Sequence, residues 1–374
     1  MMSKTLTLVI SLVLIVSAIF FIDRYTAGSK PQENNADILA EEIAVKEVNK
    51  DSYPTEEDLK RIEQKSKEFV RAKELVEPDG YINTDKITIS EQIGKNVVLV
   101  DFWTYSCINC QRTLPYLTSW YEKYKDKGLV IIGVHTPEFV FEKEYDNVLR
   151  ATEKFKVTYP VAQDNEYKTW HAYNNRYWPR KYLIDIDGFI VYDHIGEGAY
   201  DETEKEIQKA LEERMMVLGI NEDIPSNLVE PDADKPSAGA VLTPEIYFGY
   251  EFSRGQIGNK EGWKPDEIVD YTYPEKTEPS RFYLNGRWLN NKENMELVSD
   301  EGSIKLSFLA KKVNIVASSS TPVEADIYVD GVFHKKVEIM DSQLYNIASF
   351  DSIKRSVIEI KAKKGLKAYT FTFG

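Results

Sequence analysis

Residues 96–112 read NVVLVDFWTYSCINCQR, an apolar run of strand length that ends at the only two cysteines of the chain. A continuous apolar run has no polar face, so it fits a strand buried on both sides, as in a parallel sheet covered by helices. The stretch from Cys107 onward reads as a helix that Gly128 ends. The pair therefore falls at a strand–helix junction. A zinc site needs about four ligands, yet there is no second cysteine pair, and His135, His171, His194 and His334 are scattered. Haem attachment requires a histidine directly after the second cysteine, and Gln111 stands there. A purely structural disulfide across so short a loop gains little chain entropy. Redox chemistry fits the placement best. Cys107 sits at a helix N-terminus, where free N–H groups and the helix dipole favour a thiolate. Cys110 lies one turn deeper, within reach to resolve a mixed disulfide.

The chain around this junction divides by pattern. LVIIGVHT (129–136) is a second buried strand, EFVFEKEYDNVLRATEKFK is helical, YPVAQD is a short strand and YKTWHAYN a short helix. KYLIDIDGFIVYDHIG is a hairpin turning at Asp187-Gly188, and DETEKEIQKALEERMM is an amphipathic helix. This order implies an α/β domain over residues 76–218, with parallel strands and an antiparallel edge. Residues 219–243 are rich in Pro, Asp and Ser and read as a linker. Short alternating strands such as RFYLNGRWL, SIKLSFLA and KAYTFTF then predict an all-β antiparallel sandwich over 244–374.

The N-terminus opens with one lysine and runs apolar from Leu6 to Ile22. That length is at the lower edge of a membrane span and exceeds the apolar core of a cleaved signal. Residues 1–24 are therefore expected to be an uncleaved anchor, a single hydrophobic helix, with the body exported; secretion after cleavage is the alternative. Residues 25–75 follow as a polar tether and a spacer helix with Leu59, Ile62, Phe69 and Val70 as its apolar contacts. A net charge of −14 and a pI of about 5.0 argue against a nucleic-acid partner, which needs a basic face.

VVLVDFW followed by Cys-x-x-Cys and by Pro115, with Pro179 ahead of a strand in YWPRKYLID, resembles the thioredoxin fold. The set FWTYSCINCQRTLPYL, GVHTPEFVFEK, NRYWPRKYLID and GEGAY is narrower. It resembles the extracytoplasmic region of the DipZ branch of the TlpA-like thiol–disulfide oxidoreductases, and the tail FYLNGRWLNNKE…AYTFTFG resembles the carbohydrate-binding-module-like (jelly-roll) domain that follows it there. The resemblance implies thiol–disulfide exchange on exported proteins, such as apocytochromes during cytochrome c maturation, through a Cys107–Cys110 disulfide with no other cofactor and no metal. DipZ relatives also carry a multi-span electron-transfer domain; with at most one span here, a separate CcdA/DsbD-like membrane protein is the expected electron donor.

Further roles follow from the match. Asp101, six residues before Cys107, falls where thioredoxins keep a buried carboxylate that takes the Cys110 proton; a solvent-facing strand end is the other reading. Pro179 is expected to be cis, with Trp178 shaping the substrate groove. Glu138 either tunes the cysteines or merely opens a helix, and Trp103 either packs beneath the cysteines or serves the core alone. Ile108 and Asn109, between the cysteines, set the redox poise. Thr104 completes a Thr-x-x-Cys found in peroxidases, but the proline that should precede it is Val100. In the tail, Trp288, Tyr283, Tyr250, Trp263 and Tyr369 are candidate stacking platforms for a glycan, although strand aromatics are more often core.

Overall fold

The apolar run forms β3 (Val97–Trp103), and all seven of its residues are buried. It lies between β4 (Leu129–His135), which is parallel to it, and β6 (Arg180–Ile184), which is antiparallel. The computed structural model describes residues 53–233 and 243–374. In that region the sheet runs β1 (Val70–Arg71), β7 (Phe189–Ile195), β6, β3, β4, β5 (Val161–Gln163), β2 (Gly80–Ile82). The expected parallel centre and antiparallel edge are both present. Five α-helices accompany the sheet among the described residues: α1 (Glu56–Lys65), α2 (Ile108–Tyr124), α3 (Tyr145–Lys154), α4 (Lys168–Ala172) and α5 (Tyr200–Leu218). Strand side chains alternate between faces. Val97, Leu99 and Trp103 pack with Leu117 and Trp120 of α2 and Leu211 of α5, while Val98, Val100 and Phe102 pack with Trp170 of α4. Gly128 ends the cysteine helix and its 3-10 extension with φ +95°, a conformation in which a side chain would strike Arg214.

Three expectations are corrected. The helix expected from residue 138 is broken into a 3-10 turn (Val140–Lys143) and α3, because the Glu142 carboxylate folds the chain back by accepting the Glu138 and Phe139 N–H groups. Helix α1 is not a free spacer. It stops at Lys65, Leu59 and Val70 are exposed, and it docks on the β6–β7 hairpin: Arg61 grips Asp187 with two 2.7 Å bonds, and Lys65 reaches Asp185 at 2.5 Å and Asp187 at 2.9 Å. The first part of the linker is packed down as well, with the Val229 N–H donating to Glu204 and Gln208 donating to the Pro225 carbonyl. The hydrophobic segment expected at 1–24 lies outside the described residues. Among those described, no helix is long and apolar enough to cross a membrane.

The second domain is β-rich, with strands β8 (Ile246–Tyr247), β9 (Ile268–Tyr271), β10 (Phe282–Asn290), β11 (Met295–Leu297), β12 (Glu301–Ser318), β13 (Val323–Val329), β14 (Val332–Ile339), β15 (Gln343–Lys363) and β16 (Lys367–Phe373). The strands form one hydrogen-bonded network rather than two separate sheets, and every strand-to-strand ladder in it is antiparallel. The two long strands, β12 and β15, serve both halves of it. Their register shifts between Ala310 and Lys312, a bulge that bends a strand. The enclosed core centres on Phe282, Trp288, Phe308 and Phe371. This domain docks directly on the α/β domain. Tyr105 donates to the Ser342 carbonyl at 3.0 Å, and Phe139, 1% exposed, packs edge-on against Phe252 and Tyr369.

The side chains of Asp185 and Asp187 are fully buried, so their cations are obligatory. Arg61→Ala takes two hydrogen bonds from Asp187 but leaves it Lys65, and is expected to destabilise the fold by about 1–3 kcal/mol, read as a lower urea midpoint with an unchanged slope.

Candidate active site

Cys107 is the N-cap of α2, with extended backbone (φ −72°, ψ 119°) and its Sγ accepting the Cys110 N–H at 3.4 Å. It is half-buried and lines a cleft of about 360 Å³. Cys110 is 1% exposed and belongs to the hydrophobic core beside Trp103 and Leu114. Burial, with Cys107 next to it, pushes the Cys110 thiol well above its usual range. The helix start thus presents one thiol to the cleft and withholds the other.

Asp101 lies on β3 below them, 1% exposed, with neither carboxylate oxygen hydrogen-bonded to any described residue. Burial lifts its pKa from 3.8 to about 7, and the charge of Lys181 offsets part of the rise. Lys181 was not foreseen from the sequence. It sits opposite Asp101 in the β3–β6 register and is fully buried, its Nζ donating to the Gly196 carbonyl at 3.2 Å. Burial pulls its pKa down while Asp101 holds it up. The available signal was alternation: in KYLID, Lys181 and Leu183 share a face, and the register from Pro179 sets Lys181 beside Asp101.

The peptide before Pro179 is cis. Trp178 lines the cleft and donates its indole N–H to the Thr136 carbonyl at 3.1 Å. Ile108 and Asn109 line it too. Asn109 is held by Arg112, whose guanidinium donates to Asn109 Oδ1 at 3.0 Å and to Glu197 at 2.9 Å. Glu138 also reaches the cleft, where it accepts a 2.6 Å bond from Tyr247 of the β-rich domain. Trp103 and Thr104 are absent from the cleft lining. Trp103 is wholly buried, edge-on to His135. The Thr104 hydroxyl turns inward to His135 at 3.5 Å and to Glu142. His135 is itself buried, its pKa pushed down to about 3, so it is a neutral packing group.

Two further features escaped sequence reasoning. Glu142, fully buried, anchors the loop before Cys107 by accepting the Ser106 hydroxyl at 2.6 Å and the Ser106 N–H at 3.2 Å. The β-rich domain also places Glu245, Tyr247, Phe252 and Arg254 in the cysteine cleft. Of the proposed glycan platforms, Trp288, Tyr283 and Tyr369 are buried and present no open ring face, while Trp263 is half-buried with its N–H bonded to the Phe248 carbonyl. Among the described residues, no group of three or more His, Cys, Asp or Glu side chains is arranged to hold a metal ion.

Residues 94–190 match a family described as thioredoxin-like, and residues 243–374 match a thioredoxin-like C-terminal domain family. Protein DipZ of Mycobacterium tuberculosis is 36% identical over 300 residues; the match covers 79% of this chain and 41% of DipZ, so the chain spans less than half of that relative. The thiol-disulfide oxidoreductase ResA of Bacillus cereus is 33% identical over 142 residues, covering 36% of this chain and 76% of ResA. The thiol-disulfide oxidoreductase YkuV of Bacillus subtilis is 25% identical over 140 residues, covering 37% of this chain and 93% of YkuV. Among solved structures, a thioredoxin-like protein in the oxidized form aligns with a TM-score of 0.37 at 24% identity, covering 39% of this chain and 97% of its own.

A carboxyl whose pKa rises on folding favours the folded state only while it is protonated. For Asp101 that advantage is complete below about pH 4 and is lost as pH climbs to about 7. Asp101→Asn removes this slope. The variant is expected to gain stability relative to wild type between pH 4 and pH 8, measured by denaturant melts at both.

Proposed function

Because the chain belongs to the thioredoxin-like thiol–disulfide oxidoreductases, we propose that it reduces disulfides of exported proteins with the Cys107–Cys110 dithiol while held to the membrane by residues 1–24. The observation that carries this reading is the asymmetry of the two thiols: Cys107 opens on the cleft, and Cys110 is shut in the core one helical turn behind it.

The chemistry follows from that asymmetry. The Cys107 thiolate attacks one sulfur of the substrate disulfide. The substrate S–S bond breaks, and the departing sulfur leaves as a thiolate that takes up a proton. The Cys110 N–H stabilises negative charge on the attacking sulfur. Cys110 then loses its proton to Asp101, whose pKa of about 7 suits a base working near neutrality, and attacks Cys107 Sγ. The second substrate thiolate departs, and the enzyme is left with a Cys107–Cys110 disulfide. Lys181 steadies the Asp101 carboxylate once it ionises. A separate CcdA/DsbD-like dithiol donor returns the pair to thiols, and apocytochromes are one candidate substrate class. A peroxidase is disfavoured because the Thr104 hydroxyl is committed to His135 and Glu142. Glycan binding keeps Tyr250 and Trp263 as its remaining half-buried platforms.

With the full chain and a peptide disulfide, Cys107→Ser is expected to abolish turnover, with a loss of at least about 10³-fold. Cys110→Ser is expected to accumulate a mixed disulfide on Cys107, seen by mass spectrometry. Full turnover by Cys107→Ser contradicts the mechanism.

A further inference from the structure

The cleft that holds Cys107 has walls from two domains. Ile108, Asn109, Tyr177 and Trp178 come from the α/β domain, and Glu245, Tyr247, Phe252 and Arg254 from the β-rich domain. The second wall is fixed in place. Tyr247 Oη lies 2.6 Å from Glu138 and 2.8 Å from Glu245. Both Glu293 oxygens accept the Val140 N–H at 3.1 Å. Phe252 packs on Phe139 and stacks on Tyr247, closing the seam beneath the cleft.

The lining is close to charge-neutral. Tyr247 has one hydroxyl proton and two carboxyl neighbours, so both short contacts are satisfied only when one carboxyl carries a proton. Burial favours that state by raising the pKa of Glu138 and of Glu245. The remaining negative charge faces Arg254, whose guanidinium lies 5.3 Å from the centre of the Tyr247 ring. Arg176 stands on the exposed rim. One carboxylate stands against two guanidinium groups, and the rest of the lining is largely aromatic: Tyr167, Tyr177, Trp178, Tyr247 and Phe252 all line the space. Tyr177 is 49% exposed, an apolar surface left open at the mouth. At about 360 Å³ the cleft has room for one large side chain and the main chain that bears it, and not for a folded domain.

We propose that the β-rich domain is a specificity element of the redox cleft, and that Phe252, backed by the buried Tyr247 ring, together with Trp178 and Tyr177, selects polypeptide disulfides carrying an aromatic side chain beside the half-cystine. This rests on the oxidoreductase reading and names its substrate class. Aromatic groups prefer offset or edge-on partners at roughly 4.5–7 Å, a geometry that a cleft with rings on both walls provides.

The test compares two disulfide-linked peptides, identical except for Phe or Ser next to the half-cystine, turned over by the full chain with dithiothreitol as reductant. Wild type is expected to favour the Phe peptide by about tenfold in kcat/KM, carried mainly by KM. Phe252→Ala is expected to bring the ratio to within about twofold. Phe252→Leu, which keeps the interdomain seam filled, is expected to give an intermediate ratio, so a folding defect in the alanine variant does not decide the result. Equal kcat/KM for both peptides in wild type, or an unchanged preference in both variants, overturns the proposal. A failure of the redox reading shows differently, as no turnover of either peptide.

Discussion

The redox site depends on β3 having no exposed face. A strand covered by helices on both sides carries every side chain into the core, and Asp101 goes with the rest. A carboxyl there, with no hydrogen-bond partner among the described residues, resists ionisation until near neutral pH. The same burial ends abruptly at Cys107, where the chain turns into α2 and one sulfur meets the cleft. Acid–base capacity below and an accessible sulfur above are thus two consequences of one element. Lys181, across the β3–β6 ladder, keeps the arrangement from being a lone buried acid.

The β-rich domain is part of this site rather than a remote appendage. It reaches the α/β domain through Tyr247 with Glu138, Glu293 with the Val140 N–H, and Tyr105 with the Ser342 carbonyl. These contacts fall on the turn after β4 and on the loop that precedes Cys107. Glu142 links the two by binding Ser106 on one side and the Glu138 and Phe139 N–H groups on the other. The contacts of the β-rich domain and the loop before Cys107 are therefore joined through one buried carboxylate. The packing of Pro225 and Val229, in the first part of the linker, against Gln208 and Glu204 fits a domain held in place rather than one that swings to deliver substrate.

Much of the redox head is legible in the sequence because its signals are local. A run without a polar face, a cysteine pair at its end, a helix-ending Gly128 and a proline before a strand each act over a few residues. The missed features act over long separations. Tyr247 and Glu138 are 109 residues apart, and Arg61 and Asp187 are 126 apart. A charged helix such as α1 looks solvated until the buried carboxylates it neutralises are known. Trp288 and Tyr283 look like platforms until the fold takes Trp288 into the core and covers Tyr283 with Gly258 and the Glu278 N–H. Glu142 was lost inside an apparently continuous helical pattern that its own carboxylate interrupts.

The central claim is that the two thiols differ in access while sharing one helix turn. Timed alkylation of the fully reduced chain with iodoacetamide, followed by peptide mapping, tests it most directly. The account predicts rapid labelling of Cys107, with Cys110 protected until the fold is melted. Equal labelling rates at the two cysteines in the folded protein, or faster labelling of Cys110, would contradict it.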